Sequence, residues 1–387
     1  MEIIRYKKPD NWIKYDASKV ALNMVEAAAS LKTLISIPYK LEWVEELYEM
    51  QLKREVAGTT KIEGAEFSQR EFEKAISESP EELLNRSQRQ ASSAMITYKW
   101  ISELEKDIPL NGKLILNIHA QMIKGADDDH CRPGKIRKEN DNATFGLPVH
   151  RGSEGGKECE EAFNGLVQAI SKEFKGHNRM IQALAAHYHI AAIHPFSDGN
   201  GRTARAVEAF LLKKEGQKDI NFIGMSNYYF EEKRRYFEVL NEVSEEDNDL
   251  TSFLIFGLEG IIVQCSQLLD LITEKAKISL YKETMHDLFG IIESKRKRVV
   301  RERQIKVLEI LLKEENQQME LLNLLDEITL NYFNLKNKDK AVKRDLDELL
   351  SLGAVKNVTD DEGLLLFKVN LEWPSEITKK KFLDKVE

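Results

Sequence analysis

Proline is scarce in this chain, eight in 387 residues, and cysteine scarcer still, at three. So few prolines leave long stretches free to be helical. Cys131, Cys159 and Cys265 are odd in number, far apart and never spaced as C-x-x-C, which argues against a disulfide framework or a structural zinc site and suits a reducing compartment. Long uncharged runs are missing too. The most apolar stretch, FLIFGLEGIIVQCSQLLDLI (Phe253 to Ile272), is broken by Glu259, Gln264, Gln267 and Asp270, whereas a spanning helix needs about 20 nearly uncharged residues. A core helix is expected there. The opening MEIIRYKKPDNWIKYDASK has no apolar segment behind a basic one, so no secretory signal is read and a cytoplasmic location is expected. The net charge of −8 argues against nucleic-acid binding by the whole surface and leaves a local patch open.

What is abundant is Ala, Leu, Glu and Lys in helical spacing. In CEEAFNGLVQAISKEF, Phe163, Leu166, Val167, Ile170 and Phe174 recur at steps of three and four, as do Ile181, Leu184, Ala185 and Tyr188 further on. Both segments read as core-facing helices. Residues 131–156, CRPGKIRKENDNATFGLPVHRGSEGG, break the pattern with Gly, Pro, Asn and charge. A loop of this length inside a compact domain is usually functional or carries a small hairpin, against the plainer reading of a floppy surface insertion. Near 275–300 the composition shifts to SKRKRVVRERQIK, and a domain boundary is placed there. Helices are then expected at Gln304 to Lys313, Met319 to Glu327 and Lys338 to Leu352. Gly353 and two short apolar runs around an Asp-Asp-Glu-Gly turn follow, an order that fits a winged helix.

Twelve residues concentrate the chemistry: HPFSDGNGRTAR, 194 to 205. A glycine-rich turn at a helix N-terminus offers unpaired amides, and the helix dipole adds positive potential, so an anion site is expected. Ser197 to Gly201 make the turn and Arg202 to Lys214 the helix. Gly199 and Gly201 let a phosphate approach the backbone, and the Asn200 amide can donate to the same anion. Arg202 and Arg205, one turn apart, suit a polyphosphate. Asp198 would repel that anion unless a divalent cation stands between them, so Mg²⁺ is expected. His194 is placed to take a proton from an attacking hydroxyl. The set describes nucleotidyl or phosphoryl transfer. The plain alternative, a capped helix after a tight turn, accounts poorly for eight fixed positions in H-x-F-x-D-G-N-G-R-x-x-R.

The stretch resembles the signature of the Fic family (filamentation induced by cyclic AMP), whose best-known activity transfers AMP from ATP to a protein hydroxyl. The resemblance implies that His194 is the general base, Phe196 a core anchor and Asp198 the Mg²⁺ ligand. It assigns the α- and β-phosphates to Asn200 with the Gly199 and Gly201 amides, and the β- and γ-phosphates to Arg202 and Arg205. FGLPVH (145–150) lies where relatives carry a β-hairpin flap that aligns the target as an added strand, which makes Phe145, Gly146, Leu147 and Pro148 candidates for target docking. Upstream, GTTKIEG contains Thr59, Glu63 and Gly64 in the spacing of the family's inhibitory motif, [S/T]-x-x-x-E-[G/N]. The plain reading there is an exposed pair one helical turn apart. The implied physics is competition: a Glu63 carboxylate paired with Arg205 would occupy the fork that the γ-phosphate needs.

Other candidates are weaker. His187 and His189 point about 200° apart on a helix and cannot share a metal with His194, so His187 reads as a satisfied helix histidine. Arg298, Arg301, Arg303, Lys306, Lys336, Lys338, Lys340, Lys343 and Arg344 could contact DNA phosphates, with the helix from Lys338 as recognition helix. Asp345, Asp347 and Glu348 on that helix weigh against this, so a solvated face or a protein-interaction module stands as an equal alternative.

The expected fold is therefore all-α, a Fic helical core with a small β-hairpin flap and a C-terminal winged helix. Three domains are expected: 1–110 with the inhibitory motif, 111–275 the catalytic core, 276–387 the winged helix. The expected function is protein adenylyltransferase, self-inhibited by Glu63, using ATP and Mg²⁺. The target is a protein hydroxyl, that of the protein itself included, and a homodimer, DNA at the winged helix and no membrane complete the partners. Open alternatives are a DNA-binding regulator with a nucleotide-sensing core, or a relative that removes AMP or transfers another phosphate-containing group.

Overall fold

The computed structural model describes residues 4–105, 107–145, 149–213, 222–291, 295–328, 332, 335–360 and 363–386. They divide into two compact units, 1–269 and 270–387, so the N-terminal 110 residues belong to the same unit as the signature stretch.

In the first unit, a short strand β1 (Ile4–Arg5) precedes the helices α1 (Ala17–Ser36), α2 (Leu41–Ile62), α3 (Gln69–Ser77), α4 (Arg86–Glu103) and α5 (Gly112–Ile123). Side-chain caps start several of them. Asp16 accepts from Ser18 and Lys19 ahead of α1, Asn85 from Ser87 ahead of α4, and Asn111 from Leu114 ahead of α5. The long loop then carries β2 (Thr144–Phe145) and β3 (His150–Arg151), antiparallel to each other, with β1 parallel on the other side of β3. This is the small hairpin, fastened by the N-terminal segment.

After the loop come α6 (Lys157–Ser171), α7 (Arg179–Ile193), α8 (Asn200–Lys213), α9 (Met225–Glu231), α10 (Lys233–Glu245) and α11 (Thr251–Gly290). The central element is α7, buried at twelve of its fifteen positions, and it packs along α8. A helix buried on nearly every face needs apolar or small residues all round, which ALAAHYHIAAI supplies. The stretch from Phe253 is part of α11, long and apolar enough by composition to cross a membrane. Its Phe253, Leu254, Phe256, Leu258, Ile261, Cys265 and Leu268 are fully buried in the protein.

The second unit continues with α12 (Lys295–Leu311), β4 (Gln318–Glu320), α13 (Leu321–Ile328), α14 (Lys338–Leu352), β5 (Val355–Thr359), β6 (Leu365–Val369), α15 (Trp373–Glu376) and α16 (Lys379–Val386). The helix expected from Met319 begins instead at Leu321, because Gln318–Glu320 pair with β6 as a third strand, in the order β4-β6-β5. Gly353 ends α14 in the left-handed conformation, φ 77°. Leu308, Leu311, Leu324, Leu349 and Phe382 fill the core.

Two of the arginines considered for phosphate contact serve this interior. Arg303 pairs with Asp345 at 2.8 Å and Arg301 with Glu348 at 2.6 Å. The carboxylate of Asp345, fully buried, also accepts from Tyr332 and Arg344. Lys336, Lys338, Lys340, Lys343 and Arg344 are exposed.

Candidate active site

The turn between α7 and α8 is shaped by residues on both sides of it. Pro195 stops α7, because a proline disfavours the helical conformation in the residue before it. His194 takes the left-handed region at φ 54°, ψ 57°, a strain of order 1 kcal/mol for a residue with a side chain. Contacts from the long loop hold it there. Arg137, 2% exposed, donates Nε to the His194 carbonyl at 2.7 Å, Nη1 to Asp141 O at 2.5 Å and Nη2 to Ser153 O at 2.6 Å. Arg137, Asp141 and Ser153 of this loop are thus built into the site rather than laid over the surface.

The His194 ring is oriented by its own helix: Nδ1 lies 3.0 Å from the Ala191 carbonyl. A carbonyl only accepts, so the proton sits on Nδ1 and the lone pair on Nε2. Burial, with a smaller push from Arg137, lowers the imidazole to about 4, and the hydrogen bond to Ala191 together with the Glu63 and Asp198 charges opposes that shift. The ring is neutral at physiological pH, as a general base must be.

Phe196 is fully buried and stacks on His119, with ring centroids 3.6 Å apart and planes 4° apart. His119 Nδ1 accepts from the Gly134 amide, so its Nε2 donates to the Asp198 carbonyl at 3.1 Å. Asn200 departs from expectation. Its Oδ1 accepts from the Phe196 amide at 2.8 Å and its Nδ2 donates to the Phe196 carbonyl at 2.7 Å. The side chain closes the turn, and one of the two amide hydrogens expected to face an anion is taken by the backbone. Gly199, at φ +75°, leads into α8, whose opening amides at Asn200, Gly201 and Arg202 have no carbonyl within the helix to bond.

Arg202 is 1% exposed. Its Nη2 bonds Asp127 at 2.7 Å and Asp198 at 3.3 Å, while its buried Nε and Nη1 have no partner among the described residues. Orphaned guanidinium donors beside a helix N-terminus are the observation that fits an anionic ligand.

Asp198, 30% exposed, accepts from Arg86 at 2.8 Å and from His130 at 2.9 Å as well. Burial works against its charge, but His130 and Arg202 hold the carboxyl below its usual range. Asp127, His130 and Asp198 place three ligand-type atoms within 4.8 Å of one another. Asp127 is closed off by Arg86, Gln90 and Arg202. That leaves Asp198 as the carboxylate within reach of a hard cation arriving with phosphate, which fits Mg²⁺ held by one carboxylate plus phosphate oxygens.

The upstream motif meets the signature at Arg205, which is 2% exposed. Its Nε donates to Thr59 Oγ1 at 2.9 Å, and its Nη2 to the Thr59 carbonyl at 3.1 Å and to Glu63 Oε1 at 2.5 Å. Burial raises the Glu63 carboxyl, but Arg205, and to a smaller extent Arg202, outweigh it and hold the group below its usual range. The carboxylate also lies over Gly201: a Cβ there would collide with Glu63 Oε1. Glu63 thus covers the second residue of α8, where an anion would approach the amides.

The geometry follows from how α2 ends. Glu63 is its C-cap and Gly64 follows at φ +90°. Ala65 N bonds Thr60 O and Gly64 N bonds Lys61 O, the paired bonds of a Schellman cap that needs glycine at the left-handed position. Gly58 allows α2 to touch the backbone of α9 at Ser226, and Glu55 accepts from the Met225 and Ser226 amides at 2.8 and 3.0 Å.

Of the flap candidates, Phe145 is the last residue of β2, and Gly146, Leu147 and Pro148 lie outside the described residues. His187 is fully buried between Glu208 and Tyr236, and His189 bonds the Trp12 carbonyl, so neither converges on His194. Arg86, His119, His130 and Arg137 were not anticipated. They approach the turn from 57 to 112 positions away, and no local spacing encodes that.

Residues 109–212 match the Fic/DOC family. Over 65 residues the chain is 35% identical to "Protein adenylyltransferase Fic" of Nematostella vectensis, a match spanning 17% of this chain and 14% of that protein. Among solved structures, a Fic family protein from Desulfovibrio desulfuricans G20 aligns over 94% of this chain and 98% of its own, with TM-score 0.58 and 14% identity. Fic-1 (residues 134–508) from C. elegans aligns over 66% of this chain and 74% of its own, with TM-score 0.54 and 17% identity. At these identities the structures establish the fold.

Proposed function

The chain is a Fic-family protein, and on that premise we propose that it transfers AMP from ATP to a hydroxyl of a protein, in a form restrained by Glu63. The observation that carries the reading is the convergence of three parts at one turn. These are a neutral histidine with its lone pair on Nε2, an arginine with buried unpartnered donors, and a glutamate seated on the second arginine.

In this reading the first amides of α8, Arg202 and Arg205 bind the phosphates, Arg205 only after Glu63 leaves it. Mg²⁺ held by Asp198 and phosphate oxygens would neutralise phosphate charge. His194 Nε2 takes the proton of the target hydroxyl as its oxygen bonds the α-phosphorus and the bond to the β-phosphate oxygen breaks, releasing pyrophosphate. Arg137 and the Ala191 carbonyl keep the imidazole aimed and in one tautomer. The β2-β3 hairpin, with β2 at a sheet edge, supports a role in aligning the target as an added strand.

The test is incubation with labelled ATP, CTP, GTP and UTP and Mg²⁺, with the label located by mass spectrometry. Labelling by the α-phosphate of ATP, lost in His194→Ala, is the expected result. Label from the γ-phosphate would replace the reading with phosphoryl transfer. The exposed lysines at the start of α14 favour a second reading for the C-terminal unit alone, a nucleic-acid contact of winged-helix type.

A further inference from the structure

Lys61 lies inside the upstream motif but on the other side of the helix from its functional residues. Two positions separate it from both Thr59 and Glu63, about 200° of rotation in each direction. Thr59 and Glu63 face Arg205. The Lys61 ammonium instead stands between two aromatic rings, 5.5 Å from the centroid of Phe67 and 5.5 Å from that of Phe230. Phe230 belongs to α9, the helix whose first amides are held by Glu55 of α2. Phe67 belongs to the segment leaving α2 and stacks on Phe72 of α3, with centroids 5.1 Å apart.

We propose that Lys61 is a positioning residue for Glu63, clamping the end of α2 between Phe230 and Phe67 so that the Glu63 carboxylate stays on Arg205. The inference rests on the inhibitory reading of Glu63. Thr59, Thr60 and Ile62 are buried and the cap bonds of Gly64 and Ala65 close the helix. Glu63 itself, however, is a C-cap residue with a side chain 38% exposed, and helix ends fray where few side-chain contacts hold them. Beyond Glu63 the chain turns at Gly64, which carries no side chain to anchor it. The lysine ties the last helical turn to α9 on one flank and to the outgoing chain on the other. A cation between two ring faces is attracted to both. A neutral side chain of similar length would keep part of the packing and lose that attraction.

The test compares Lys61→Gln and Lys61→Arg, each with and without Glu63→Gly, in the full chain. Amide hydrogen exchange at Gly64 and Ala65, whose protons bond Lys61 O and Thr60 O, is expected to quicken roughly three- to tenfold in Lys61→Gln. It should stay within about twofold of the wild type in Lys61→Arg, which keeps a cation over the rings. Unchanged exchange in α7 would report an intact core. Labelling from ATP should rise in Lys61→Gln by a similar factor, through KM for ATP rather than kcat, and Lys61→Gln should add nothing to Glu63→Gly. Wild-type exchange in Lys61→Gln overturns the clamp, as does wild-type labelling in Lys61→Gln alongside raised labelling in Glu63→Gly. Quickened exchange with labelling unchanged in both Lys61→Gln and Glu63→Gly leaves the clamp standing and removes the inhibitory reading instead.

Discussion

Glu63 Oε1 lies 2.5 Å from Arg205 Nη2, with the carboxylate over Gly201 at the start of α8. A single acidic side chain thus covers both a buried guanidinium and the helix terminus beside it. A charge-assisted bond of this kind contributes about 1.5–3 kcal/mol. Glu63→Gly is therefore expected to tighten ATP by roughly ten- to a hundredfold, since about 1.4 kcal/mol corresponds to tenfold. AMP, with no β- or γ-phosphate to compete for Arg205, should gain much less. Calorimetry with both nucleotides checks this, and equal gains would detach Arg205 from the distal phosphates.

For His194 the orientation of the ring gives two expectations. His194→Ala should lower labelling at least about a hundredfold, the usual scale for a lost general base, with the dissociation constant for ATP within about twofold of the parent. The pH profile of kcat/KM should stay level from neutrality downward and fall only near pH 4, where the buried imidazole protonates. Because the folded value lies below the unfolded one of about 6.5, the unfolded chain binds the proton first. His194 then costs stability progressively as pH falls from about 6.5 toward 4. An acid limb at pH 6 to 7 in a labelling assay with the Glu63→Gly protein would contradict the assignment.

Much of the site could be read from the chain because its parts are local. The turn Ser197 to Gly201, the two arginines one turn apart and the Glu-Gly end of α2 are each set by a few neighbouring residues: Pro195 stops one helix, Gly64 caps another. Asn200 has a second task that the sequence did not show, because its amide also bonds the backbone of Phe196 four residues back. Arg137 gave no signal at all. It sits in a loop without periodicity, and its partners His194, Asp141 and Ser153 come together only in the folded chain. The tail shows the same limit. Arg301 and Arg303 look like Lys340 and Lys343 in a charge count, yet the acids they face, Asp345 and Glu348, lie more than 40 residues on.

That difference in the tail is testable. Arg303→Met leaves the buried Asp345 with fewer donors, and removing one partner of a buried pair costs about 3–5 kcal/mol. The melting temperature of the C-terminal unit should drop, while retention on a heparin or DNA column should barely change. Lys340→Glu with Lys343→Glu should do the opposite, weakening retention with little change in melting. If Arg303→Met lost retention without losing stability, the internal assignment of that arginine would fail.

Gly201→Ala separates two things that Glu63→Gly changes together, removal of the restraining carboxylate and opening of the cradle. Alanine is the better helix former by about 0.5–1 kcal/mol, so α8 itself should not suffer. The new methyl, however, would collide with Glu63 Oε1 and stand 3.2 Å from Arg205 Nη1. Glu63 must then move off, as in Glu63→Gly, while the space it vacates is partly filled. If the phosphates sit against the first amides of α8, the alanine enzyme should bind ATP no more tightly than the parent, despite having lost its restraint. Combining it with Glu63→Gly should abolish most of the tenfold or greater gain expected from the glycine at 63. Titration calorimetry on the four proteins reads this directly. Should Gly201→Ala bind ATP as tightly as Glu63→Gly, the phosphates lie elsewhere, and the carboxylate restrains the site through Arg205 alone.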